Sequence, residues 1–271
     1  MPLLTMRDAE LYHEVRGEGP PLLLIMGATG DGAHFDAVGE LLADEFTVVA
    51  YDRRGNGRSP RPPGWESTSA EEQADDAAAL LEALGLTPSF VFGTSLGGVF
   101  ALCLLTRHPA AVRGAILHEP AVWPLFDDPD QVRSTVAALV RAGIESQGAA
   151  GGIERFYRFV AGDANWSRLD PDLRGRILAS ADTYLEVERG RFDSFLPDDR
   201  TLAGIEVPVQ VLVSDGSQPF FEQAAGRLAA RLGVTPVRTP GTHFCYLDHP
   251  QQLVSAIRPF LREASRAASQ A

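Results

Sequence analysis

Short, uninterrupted apolar runs alternate with longer amphipathic stretches through the first 120 residues. Leu11–Val15, Leu22–Met26, Thr47–Tyr51, Phe90–Gly93 and Ala115–His118 are rich in Val, Ile, Leu and Phe and predict strands. Helical segments are expected near Ala33–Ala43, Ser69–Leu84 and Leu96–Arg107. Strands that are apolar on both sides and separated by helices predict a parallel sheet covered on both faces. From about Trp123 to Arg200 the strand pattern stops, and Gln131–Ile144, Ile153–Val160 and Leu173–Glu188 read as helices. Strands resume at Val207–Val213 and Pro236–Thr239, with amphipathic helices near Gln218–Leu232 and Pro250–Ala264. A helical insert in such a chain is most simply a lid over the C-terminal edge of the sheet, where α/β sheets bind ligands.

Composition narrows the function classes. The chain has 271 residues, enough for a core that needs no staples. All 24 basic residues are Arg, and the net charge is −12, which argues against nucleic acid and anionic membrane surfaces. The two cysteines, Cys103 and Cys245, form no disulfide framework and suit a reducing compartment. The N-terminal MPLLTMRDAE lacks the apolar core of a signal peptide, and no apolar run is long enough to span a bilayer. A soluble, cytoplasmic protein acting on a small molecule is expected, with a homodimer left open. No His/Cys/carboxylate cluster has metal-ligand spacing, and no Gly-rich loop precedes a Lys, so neither metal nor cofactor is expected.

The segment Gly93-Thr94-Ser95-Leu96-Gly97 follows an apolar strand and opens an apolar helix. That is the G-x-S-x-G nucleophile elbow in its required context. A serine there projects its hydroxyl from a strained turn, and side chains at positions 93 and 97 would crowd that turn. The helix beginning at Leu96 aims its N-terminal N–H groups at developing negative charge. With this elbow, Asp52-Arg53-Arg54-Gly55-Asn56-Gly57-Arg58-Ser59, Arg107-His108-Pro109 with Val112, and Gly241-Thr242-His243, the sequence resembles the α/β-hydrolase superfamily over nearly its whole length. The resemblance implies an α/β-hydrolase fold: a mostly parallel sheet with helices on both faces and a helical cap inserted after the sixth strand. It implies a core of residues 1–122 and 201–271 and a cap of residues 123–200.

A serine hydroxyl needs a base in reach and an acid to orient that base. Of six histidines, His243 alone combines a late chain position, a Gly-containing loop and a preceding strand, and is read as the general base. In most members of the superfamily an Asp follows the strand equivalent to Val207–Val213, and that slot here holds Ser217. Two carboxylates remain. Asp215 lies two positions early, whereas Glu119 directly follows the strand Ala115–His118, beside the nucleophile strand. In this the chain is similar to fungal lactonases that open macrolactones such as zearalenone, where a Glu in a His-Glu pair serves as the acid. Glu119 is preferred, and Asp215 stays open as the alternative.

The fold resemblance also implies an oxyanion hole from the backbone N–H groups of Ala28 and Leu96, with Met26-Gly27 replacing the usual His-Gly. Arg53 and Arg54 are expected to brace the loop after Tyr51, and Cys245 receives no role. His34, just past the oxyanion loop, and Trp123, Tyr157, Trp166 and Tyr184 in the insert are candidate substrate contacts, although most aromatics of an insert fill its own core. The expected activity is hydrolysis of an ester or lactone of a mid-sized, largely apolar substrate through an acyl-enzyme. Carbon–carbon bond hydrolysis or a lyase reaction on the same triad, and a non-catalytic ligand receptor, are the alternatives.

Overall fold

The computed structural model describes residues 3–6 and 8–270, with the side chains of 268–270 left aside. Eight strands form one sheet: β1 (Leu3–Met6), β2 (Ala9–Arg16), β3 (Pro21–Ile25), β4 (Thr47–Tyr51), β5 (Ser89–Thr94), β6 (Val112–His118), β7 (Val209–Ser214) and β8 (Val237–Thr239). Their spatial order is β1-β2-β4-β3-β5-β6-β7-β8. The β1–β2 and β2–β4 pairings are antiparallel and all later ones parallel. The central strands β3 and β5 are buried on both sides, which explains their unbroken apolar character. Helices Ala70–Ala83 and Leu96–Arg107 pack together, as do Asp36–Leu42 and Pro250–Gln270, so that helices cover both faces. Strand β1 was not expected, because its four residues carry no alternating pattern.

Register fixes which residues meet at the C-terminal edge. Thr94 pairs with His118, so Ser95 and Glu119 leave neighbouring strands at the same level. His118 pairs with Leu212, and Ser214 with Thr239, which brings the Ser214–Ser217 turn and the loop carrying His243 to the same edge.

The helical insert follows β6. Its first long element, Pro129–Ala161, is two arms joined at Gln147 and Gly148, whose φ values of −144° and +70° are not helical. The arms cross through glycines: a Cβ on Gly143 would lie 2.2 Å from the Gly151 carbonyl oxygen. The expected helix over 173–188 is interrupted. A helix spans Pro171–Ala179, and a π-helical turn follows at Thr183–Glu188. The turn is tied to the core by Thr183 Oγ1 donating to Gly55 O at 2.7 Å and by a buried ion pair between Arg53 and Glu188 at 2.6 Å. Among the described residues no helix is long and apolar enough to cross a membrane.

Candidate active site

Ser95 sits between β5 and the helix Leu96–Arg107 with φ +56° and ψ −124°, a region that L-residues avoid. The residues two before and two after it are glycines for steric reasons. A Cβ on Gly93 would lie 2.2 Å from Gly97 O, and one on Gly97 would lie 2.1 Å from Ile25 O. Backbone bonds hold the turn to β6: Ser95 N–H donates to His118 O at 3.1 Å, and Ala121 N–H donates to Ser95 O at 3.0 Å.

His243 and Glu119 meet directly, with Nδ1 2.6 Å from Oε2 and both side chains buried. An ionised carboxylate only accepts, so Nδ1 carries the proton in this contact, which leaves Nε2 as the ring nitrogen free to exchange a proton. The other contacts of Glu119 are donors too. Ser214 N–H donates to Oε1 at 2.7 Å and the Ser217 hydroxyl to Oε2 at 2.7 Å. Burial works against the ionised carboxyl, but the His118 and His243 imidazoles and the Ser214 N–H outweigh it and hold Glu119 below the usual carboxylate range. Glu119 itself takes a positive φ of +42°, a strained backbone at the strand end. Asp215 lies elsewhere. It is half exposed and pairs with Arg238 at 2.7 Å.

His118 lies behind this cluster. Its Nδ1 is 2.8 Å from Thr94 Oγ1 and its Nε2 2.9 Å from Ser214 Oγ. Burial drives its imidazole down to about 4, so it is neutral near pH 7. The Ser214–His118 pair is fully enclosed and lines neither cavity at Ser95. Cys245 Sγ stands 3.5 Å from His118 Nε2, and burial raises its thiol far above the ordinary range.

The loop after β3 is held carbonyl by carbonyl. Buried Arg53 donates Nε to Met26 O at 3.1 Å and Nη2 to Gly27 O at 2.9 Å. Ala28 O accepts from Thr29 Oγ1 at 2.7 Å and from the Tyr157 hydroxyl at 3.3 Å. A Cβ on Gly27 would come 2.9 Å from Ser95 Cβ, so that residue allows the loop to approach the serine. Asp31, at the end of this loop, is clasped by Arg176 from the insert.

Ser95 borders two cavities. One of about 350 Å³ runs under the insert and is lined mostly by apolar side chains, with Trp123 and Tyr184 among them. The other is a recess of about 20 Å³ bordered by His243 and Tyr157. Of the expected substrate contacts, Trp123, Tyr157 and Tyr184 therefore face space next to Ser95. His34 and Trp166 do not, and line a separate cavity with Asn165 and Leu169. His34 is turned inward onto the Asp31 carbonyl, 3.0 Å from its Nδ1, which closes its own helical turn. Trp166 is buried against Tyr157 at 5.6 Å between ring centroids. Two residues at the site had no signal in the sequence. Phe221 stacks on His243 at 3.8 Å and 6°, and Glu188 reaches the large cavity from the π-helical turn. Among the described residues no group of three or more His, Cys, Asp or Glu is arranged to hold a metal ion.

Residues 20–250 match the α/β hydrolase fold family. The chain belongs to that family. An uncharacterized hydrolase, YraK, of Bacillus subtilis is 30% identical over 97% of this chain and 96% of its own length. A zearalenone hydrolase of Cladophialophora bantiana is 27% identical over 92% of this chain and 91% of its own. Among solved structures, a thermophilic esterase from Thermogutta terrifontis superposes with a TM-score of 0.77 at 25% identity, covering 94% of each chain.

Proposed function

We propose that the protein hydrolyses a carboxylic ester or lactone of a mid-sized, largely apolar substrate. The observation that carries the reading is the 2.6 Å contact between His243 Nδ1 and Glu119 Oε2, with Ser95, strained on its elbow, bordering the same recess as His243. Ser95 Oγ attacks the carbonyl carbon while His243 Nε2 takes its proton. Glu119 fixes the tautomer and stabilises the imidazolium. The N–H groups of Ala28 and Leu96 receive the oxyanion, and the pinned carbonyls of residues 26–28 keep that hole in place before substrate arrives. His243 returns the proton to the leaving alcohol, and water attacks the acyl-enzyme by the same route. The zearalenone hydrolase and esterase relatives support ester chemistry, and the apolar cavity supports an apolar substrate.

Intact mass after treatment with a fluorophosphonate probe tests the reading. Stoichiometric labelling of the wild type and none of Ser95→Ala is expected, together with turnover of an ester panel that the variant lacks. A folded wild type that neither labels nor turns over any ester or lactone would refute it.

A further inference from the structure

Ser95 stands between two spaces of very unequal size, about 350 Å³ and about 20 Å³. The two differ in what borders them. Of the two residues whose N–H groups are assigned to the oxyanion, Leu96 lines only the large cavity and Ala28 borders both. His243 lines the recess and not the large cavity. General acid catalysis needs the leaving oxygen within hydrogen-bond reach of the imidazole that protonates it. The alcohol half of the ester therefore departs on the recess side, and the acyl half fills the large cavity.

A single water needs about 10–15 Å³, so beyond the alkoxy oxygen at the reacting centre the recess of about 20 Å³ holds an alkyl group of one or two carbons. Its walls are poorly placed to yield. Tyr157 is buried, with its hydroxyl on Ala28 O, and packs on Phe244 at 5.3 Å between ring centroids. Phe156 borders both spaces and is held as a partition, stacked on Tyr184 at 5.5 Å and edge-on to Tyr157 at 6.3 Å.

We propose that the substrate is an ester of a bulky, apolar carboxylic acid with a one- or two-carbon alcohol. This rests on the serine-hydrolase reading above and narrows it, since a macrolactone would need its large alcohol half in the recess. Ser95 Oγ bonds to the acyl carbon, the bond from that carbon to the alkoxy oxygen breaks, and His243 protonates the departing alkoxide to methanol or ethanol. Water then adds from the vacated recess, giving the acid and restoring the Ser95 hydroxyl.

Two isomeric esters of equal size and opposite polarity test it: methyl 4-phenylbutanoate and 3-phenylpropyl acetate. The wild type is expected to favour the methyl ester by at least about tenfold in kcat/KM, the scale on which a pocket rejects added carbon. Along methyl, ethyl and butyl 4-phenylbutanoate, kcat/KM falls, and Val160→Ala, which trims a wall shared by the recess and the large cavity, reduces the methyl-over-butyl preference at constant acyl group by about fivefold. Equal or reversed rates for the isomeric pair, in a protein whose Ser95 labels with the fluorophosphonate, would overturn this assignment and leave the hydrolase reading standing. No labelling and no turnover would overturn both.

Discussion

Ser217 donates its hydroxyl to Glu119 Oε2 at 2.7 Å, the same oxygen that meets His243. On the proposed mechanism, Ser217, in the slot where the sequence resemblance led one to expect the acid, instead supports Glu119 from the neighbouring strand. Asp215, two residues away, turns to Arg238 at the surface. On the proposed mechanism, Glu119→Gln is expected to lower kcat by about 10³- to 10⁴-fold, because an amide permits the wrong imidazole tautomer. Ser217→Ala removes one hydrogen bond to a charged group and is expected to cost about tenfold. Asp215→Asn should stay within about twofold of wild type, since its pair with Arg238 is exposed. Steady-state kinetics of the three variants decide it, and a large loss confined to Asp215→Asn would move the acid there.

The buried Arg53–Glu188 pair joins two things that the site needs. Arg53 carries the carbonyls of the loop after β3, and Glu188 belongs to the insert. Asn56 Nδ2 also donates to Glu188 at 2.8 Å, and Gln73 accepts from Arg53 at 3.1 Å, so little of either charge is left unsatisfied. Breaking one side of such a pair strands a buried charge and costs about 3–5 kcal/mol. Glu188→Leu is therefore expected to lower Tm by about 6–15 °C at this chain size. The double variant Arg53→Met/Glu188→Leu should recover much of that Tm while leaving kcat low, because the loop carbonyls stay unpinned. Thermal denaturation beside ester kinetics separates the two effects. Recovery of both would show that the pair serves stability alone.

Much of this was legible in the sequence, for reasons that are local. Gly93-Thr94-Ser95-Leu96-Gly97 needs small residues because of contacts within a few ångströms, and the apolar strands β3, β4, β5 and β6 announce double-sided burial. The His243–Glu119 contact spans 124 positions and was inferred by joining chain order and strand adjacency to the resemblance carried by Gly241-Thr242-His243 and the His118-Glu119 pair. His34 and Trp166 show where this ends. Both have suitable chemistry and suitable positions along the chain, yet inward rotation of one ring and packing of the other set them beside a different cavity. The π-helical turn at Thr183–Glu188 carries helical periodicity in sequence, and only its tertiary bonds to Gly55 and Arg53 reveal the widened turn.

His118 makes the fold acid-sensitive. Its imidazole is fully buried, lies against Glu119, His243 and Cys245, and titrates near 4 instead of the ordinary 6.5. Between those values the unfolded chain binds a proton that the native state does not. Stability is thus fully present above pH 6.5 and falls as pH drops toward 4, by up to about 3 kcal/mol from this residue. Glu119, held below its ordinary range, adds a loss of the same sign at lower pH still. Urea unfolding near pH 7 and near pH 4.5 is expected to show this drop in the wild type and a shallower one in His118→Gln. Equal slopes in the two proteins would assign the acid sensitivity to other groups.

Two glycines in the insert predict opposite outcomes for the same substitution. Gly143 sits where the arms of the long helix cross, and a Cβ there would lie 2.2 Å from Gly151 O, a backbone atom that cannot swing aside. Gly143→Ala must push the arms apart, at a cost of about 1–3 kcal/mol or about 2–10 °C in Tm. The second arm carries Phe156, Tyr157 and Val160 to the recess beside Ser95, so the same shift enlarges the space meant for the alcohol. Ethyl and butyl esters are expected to gain on methyl esters in this variant. Gly175 lies inside the helix Pro171–Ala179 with nothing within 4 Å of an added Cβ. There the alanine removes only unfolded-state freedom, and Gly175→Ala should raise stability by about 0.5–1 kcal/mol with ester selectivity unchanged. Tm and the methyl-to-butyl ratio, read on both variants, check the pair. A Gly143→Ala protein with wild-type Tm would mean that the arms are not in tight contact, and one with lowered Tm but unchanged selectivity would disconnect the crossing from the recess.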